Sequence, residues 1–170
     1  MSLFDRLFRK PADPREAMRP LWHRTVAIAR EPEWYAQCGV ADTLEGRFDM
    51  VTAALSVVML RMETDPALAP RTAYLTEIFV EDMDGQLRQS GVGDLVVGKK
   101  IGKLMSTLGG RLGAYRTGFA DNGPTLEEAA RRNVTLTDDA LARQFADRLR
   151  ALRLRLDATS ADAMLAGDIA

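Results

Sequence analysis

Apolar residues recur along this chain at intervals of three and four. In the clearest run, Leu44, Phe48, Val51, Leu55, Val58 and Met62 are spaced 4, 3, 4, 3 and 4, a helix period and not the alternation of a strand. Met50, Ala54, Val57 and Leu60 fill the remaining faces, so the segment reads as a central helix buried on all sides. Asp42-Thr43-Leu44-Glu45 has the form of a capping box at its start, and Asp65-Pro66 ends it.

The same reading extends to both sides. Asp13-Pro14-Arg15-Glu16 opens an earlier helix that keeps Met18, Leu21, Trp22, Thr25, Val26, Ile28 and Ala29 in register until Pro32. Glu33 to Val40 is a short helix or turn that brings Trp34 and Tyr35 over a core. From Pro70 to Gln89 a helix points Tyr74, Leu75, Ile78, Phe79, Met83 and Leu87 inward and carries Glu77, Glu81 and Asp84 on its other side, with Arg88 one turn beyond Asp84. Gly91 suits the end of that helix and Asp94 the cap of the next. The next helix holds Val97, Ile101, Leu104, Met105 and Leu108 on one face. Its pairs Gly98/Gly102 and Gly109/Gly113 are spaced so that another helix can approach closely. Gly109-Gly110 predicts a break before a helical segment from Arg111 to Phe119. Thr125-Leu126-Glu127-Glu128 is a third capping box, and Thr137 precedes a last long helix with Leu141, Phe145, Leu149, Leu152 and Leu156 in a stripe. The expected fold is all-α, one globular domain of six or seven helices: an amphipathic segment 1–12, a helical domain 13–158 and a C-terminal tail 159–170.

Composition narrows the chemistry. A chain of 170 residues can bury a sizeable core without disulfide or metal, and with Cys38 as its only cysteine it forms no internal disulfide and no thiolate cluster. His23 is the only histidine, which leaves one candidate base for a nucleophile system and excludes histidine-rich metal sites. Met50 to Leu60, the longest apolar run, is too short to span a bilayer. At the N-terminus Leu3, Phe4, Leu7 and Phe8 share one helical arc, the pattern of a membrane-surface or partner-docking helix or of a terminal turn on the domain. The net charge of −1 does not point to specific nucleic-acid recognition, but its sign reverses along the chain. Residues 41–90 carry nine acids and four bases, whereas 91–120 carry one acid and five bases.

That reversal falls in Asp82 to Lys100, where acids, glycines and lysines crowd together. Gly93 to Lys100 matches most of a phosphate loop, but Lys100 stands where a magnesium-binding hydroxyl is needed and no strand precedes it. Asp82 and Asp84 point about 200° apart on a helix, so they do not chelate one ion. No nucleophile elbow, metal triad or cofactor fingerprint is present, and the expectation is an interaction protein without cofactor or metal rather than an enzyme. A small helical enzyme using the 77–84 carboxylates is the alternative, and a membrane-surface adaptor the third reading.

Several blocks carry a family resemblance in order: Tyr35, Gly39-Val40 and Asp42 to Phe48; Arg61; Phe79, Asp82-Met83-Asp84, Leu87-Arg88, Gly91 to Leu95 and Val97 to Lys100; and Gly110-Arg111 with Tyr115. Over about residues 20–155 the chain resembles the ubiquinol-cytochrome c chaperone family, assembly factors for cytochrome b of respiratory complex III. The resemblance implies an all-helical, non-enzymatic chaperone of bacterial type, cytoplasmic or peripheral on the cytoplasmic face of the inner membrane. Its implied partner is nascent or unassembled cytochrome b, with the ribosome or a second assembly factor as further partners. Where the family often reads Leu-His this chain has Ala53-Ala54; it also departs at Leu108-Gly109 and Gln89. The residues expected to meet a partner are Arg47, Asp82, Asp84, Arg88, Asp94, Lys99, Lys100, Arg111 and Tyr115.

Overall fold

A computed structural model describes residues 13–89, 94–120 and 125–169, excepting the side chains of Asp94 and Leu95. All regular structure in it is helical. After a 3-10 turn at Glu16–Met18 come α1 (Arg19–Ala29), α2 (Pro32–Ala36), α3 (Leu44–Glu63), α4 (Thr72–Gln89), α5 (Asp94–Ala120), α6 (Thr125–Asn133), α7 (Ala142–Asp157) and α8 (Ala161–Ala166). Among the described residues the only β-type pairing is an isolated antiparallel bridge between Val40 and Leu136.

Helix α3 is the centre, as its spacing predicts. All of Thr52 to Leu60 is buried, and α1, α4, α5 and α7 pack around it. Its polar positions stay satisfied inside the helix: the Thr52 and Ser56 hydroxyls donate to carbonyls one turn back, at 3.1 and 2.7 Å. Ala53 and Ala54 are fully closed to solvent. Arg61 Nε donates to the Leu156 carbonyl at 3.1 Å, tying the end of α3 to the end of α7. Trp34 fills the gap between α1 and α7: its indole donates to the Ile28 carbonyl at 2.8 Å and its ring lies 5.5 Å from Phe145.

The caps differ in detail from the sequence reading. Thr43 rather than Asp42 caps α3, accepting from the Gly46 amide at 3.2 Å, because Asp42 turns outward to Arg47. Gly46 is required there, since a Cβ would stand 2.0 Å from the Ala41 carbonyl oxygen. Asp138, not Thr137, caps the turn into α7, while Thr137 donates to the Gly39 carbonyl. The expected turn at Gly91 lies outside the described residues.

Two further expectations change. Helix α5 runs unbroken through Gly109-Gly110, because Leu108 and Tyr115 on either side are buried and hold the helix in one piece. A Cβ added at Gly98, Gly102, Gly109 or Gly113 would meet nothing within 4 Å, so no helix of the described chain makes the close approach their spacing allows. Within the expected C-terminal tail 159–170, Ser160 caps α8, Met164 and Ile169 are buried, and Arg24 Nε donates to the Ile169 carbonyl at 3.0 Å.

Candidate functional site

A groove of about 1180 Å³ opens where the ends of α1 and α4 meet the start of α3. Its apolar lining comes from Val26 on α1, Tyr35 on α2, Phe48 and Val51 on α3, Met83 and Leu87 on α4, and Leu104 on α5. Five helices therefore contribute to one wall, which no single sequence segment reveals. Leu44, in the first turn of α3, stands at the rim and is 80% exposed, an unusual position for a large apolar side chain at a site already lined by others.

The rim is charged with both signs. Arg30, Asp42, Glu45, Arg47 and Asp82 border the opening. Arg47 Nε donates to Asp42 at 2.6 Å, and this bond holds the Asp42 carboxyl below its usual range and the Arg47 guanidinium above its own. Tyr35 donates its hydroxyl to the Ala29 carbonyl at 2.9 Å, and burial followed by the nearby Asp42 charge pushes its ionisation upward. All three groups are thus held in their neutral-pH states.

Behind the groove lies a buried polar cluster. Arg111 Nη2 donates to Asp49 Oδ1 at 2.5 Å, and Arg111 Nη1 also bonds Thr52. The other Asp49 oxygen accepts from the Thr135 amide and hydroxyl at 2.9 and 2.7 Å. The guanidinium carbon of Arg111 sits 5.6 Å from the centre of the Phe48 ring, so the cluster backs the groove floor. Ala41 N–H donates to the Thr135 carbonyl at 2.9 Å, which couples the same cluster to the rim turn.

The residues expected to meet a partner separate into three groups. Arg47 and Asp82 line the groove. Asp84 and Arg88 form a pair at 2.6 Å along α4, and Lys99 and Lys100 are exposed on α5. Arg111 and Tyr115 are a correction: Arg111 is buried in the cluster above and Tyr115 is closed to solvent, because the inward face of α5 turns both toward α3. Of Asp94 only the backbone position, at the start of α5, is described. Leu3, Phe4, Leu7 and Phe8 lie outside the described residues. Sequence reading missed Tyr35, Phe48, Val51 and Leu104 as surface-lining groups, since helical spacing marks them as apolar without separating groove from core. The exposed Leu44 carried no signal of its own.

The remaining candidate chemistry is ion pairing. Glu77 and Glu81 face Arg15 and Arg19, at 4.0 and 3.6 Å, across to the N-terminal turn and α1. His23 is exposed beside a smaller hollow of about 320 Å³. Among the described residues no three His, Cys, Asp or Glu side chains gather so as to hold a metal, and no helix is long and apolar enough to cross a membrane.

The family model described as ubiquinol-cytochrome C chaperone matches residues 36–170. The chain belongs to this family. This chaperone is also similar to a solved protein, reported as the crystal structure of the Cbp3 homolog from Brucella abortus: 31% identity, 99% of this chain and 96% of that one covered, TM-score 0.79. Among curated proteins none matches. The family model takes in the groove from Ala36 to Leu104 and the polar cluster behind it, while Val26, Arg30, Pro32 and Tyr35 precede the family match. The structural match covers 99% of the chain, so the site belongs to the part of the chaperone that resembles known structure.

Proposed function

We propose that the chain is an assembly chaperone for ubiquinol-cytochrome c reductase that holds cytochrome b by seating an apolar client helix in the groove. The observation that carries this reading is the groove itself. At about 1180 Å³ it exceeds the usual volume of a small-molecule pocket, it is apolar along its floor, and its rim offers both charge signs. A helix leaving or entering a membrane has the matching surface, apolar along its body and charged at its ends. Val26, Phe48, Val51, Met83 and Leu104 shield the apolar body from water, while Arg47, Asp82 and Lys100 meet the polar ends. Lys100 stands one helical turn before Leu104 and so on the groove side of α5. The work is binding, and the 77–84 carboxylates support that assignment, since Glu77, Glu81 and Asp84 each face an arginine. The protein acts at the cytoplasmic face of the membrane, where an unassembled subunit is met.

Co-purification tests the reading. Tagged chaperone from cells producing cytochrome b should carry that subunit, and Phe48→Asp combined with Leu44→Asp should release it while circular dichroism stays unchanged. Equal recovery of cytochrome b with the folded double variant would remove the groove from the function; no recovery with the parent chain would remove the client.

A further inference from the structure

Helix α5 turns toward solvent a basic face that none of the described residues covers. Lys99 and Lys103 are exposed on it and, unlike most of the arginines, make no ion pair among the described residues. Asp94 is the one acid on the helix and stands about 140° around it from Lys99, and no acidic residue occurs from Leu95 to Ala120, so no acid on α5 lies beside the lysines. At about 100° per residue, Gly98, Gly102, Gly109 and Gly113 fall in one arc immediately beside these lysines. A Cβ at any of the four would meet nothing within 4 Å, whereas one at Gly118 would stand 2.8 Å from Leu126 of α6. Gly118 is therefore explained within the chain. The other four each cost a helix about 1 kcal/mol relative to alanine and gain no close approach among the described residues in return.

Three occupants of such a face differ in what they require. A bilayer requires an apolar stripe, but the exposed Val96 and Met105 stand at opposite edges of the face, about 180° apart. A second copy of the chain would set lysines against lysines, with Asp94 at the helix start as the single carboxylate on each α5. A helix from a different protein satisfies both features at once: carboxylates pair with the lysines, and small side chains lie against the bare backbone. We propose that the solvent face of α5 docks an acidic helix of a second polypeptide, with Lys99 and Lys103 pairing its carboxylates and the arc from Gly98 to Gly113 receiving its small residues. The glycine arc lies on the opposite side of α5 from Leu104 and the groove, so a client and this partner bind together.

The test uses the full chain and a fluorescein-labelled helical peptide with alanines along one face and glutamates beside them, read by fluorescence anisotropy. The peptide should bind, more weakly as salt rises. Gly102→Leu with Gly109→Leu should raise its Kd at least about tenfold, as should Lys99→Glu with Lys103→Glu. The charge-reversed protein should in turn take up the peptide in which lysines replace the glutamates. The glycine variants have open space to fill, so they retain the fold, which thermal unfolding verifies. Failure of the parent chain to bind overturns the proposal. So does unchanged affinity in the glycine variant, which would reduce the face to diffuse charge attraction. Flotation with anionic phospholipid vesicles that depends on Lys99 and Lys103, without peptide binding, would assign the face to a membrane instead.

Discussion

Asp49 Oδ1 and Arg111 Nη2 stand 2.5 Å apart although 62 residues separate them in sequence, and their side chains are 8% and 11% exposed. Through this pair α3 holds α5, and through the second Asp49 oxygen it holds the Thr135 backbone. Removing one partner of a buried pair leaves an uncompensated charge, which costs about 3–5 kcal/mol. Arg111→Met is accordingly expected to lose that much in urea unfolding, and Asp49→Asn a similar amount. The double substitution should lose less than the sum of the two, and strict additivity would show that the pair is not coupled.

Tyr115 has the opposite sign. Its ring is fully buried but its hydroxyl finds no hydrogen-bond partner among the described residues. Tyr115→Phe should therefore leave stability unchanged or raise it by up to about 1–3 kcal/mol, the usual cost of an unsatisfied buried group. A fall in melting temperature would argue for a bonded hydroxyl.

The same residue gives the protein an alkaline limit. Burial raises the Tyr115 ionisation well above its ordinary value, with the Asp49 charge adding to the effect and Arg111 opposing it. The unfolded chain releases this proton near pH 10, so the contribution is intact below that pH and is lost as pH rises toward the folded value. Unfolding free energy should fall above about pH 10, and the slope should be shallower in Tyr115→Phe. Some slope remains because Tyr35 shifts in the same direction.

Glycine substitutions should divide by location. Gly46→Ala drives a methyl group into the Ala41 carbonyl and should cost about 1–3 kcal/mol or more. Gly98→Ala and Gly102→Ala enter open space on a helix and should each stabilise by about 0.5–1 kcal/mol. Denaturant midpoints of the three variants check the division, and a stable Gly46→Ala would contradict the tight turn at the groove rim.

At the groove, Leu44→Ser changes an exposed side chain and should alter stability by no more than about 0.5 kcal/mol while weakening client retention. Retention measured by co-purification at matched expression separates the two effects. Unchanged retention would confine client contact to the groove floor.

Much of the architecture was legible in the order of residues. The spacing from Leu44 to Met62 places the buried central helix, Pro32 and Asp65-Pro66 end their elements, and the motif around Asp82 to Lys100 marks the family, because periodicity and turn chemistry act over a few residues. Which apolar positions face a groove was not legible. Phe48 and Leu55 obey the same spacing, yet one lines the opening and the other is wholly enclosed. That difference depends on how far α1, α4 and α5 stand from α3, a distance fixed by packing among segments distant in sequence. The glycines of α5 show the same division. Their spacing permits a close helix neighbour, and only the tertiary arrangement decides that none of the described helices takes that place. Arg111 likewise reads as a surface cation until Asp49, Thr52 and Thr135 converge on it, since burying a charge requires partners that only folding brings together.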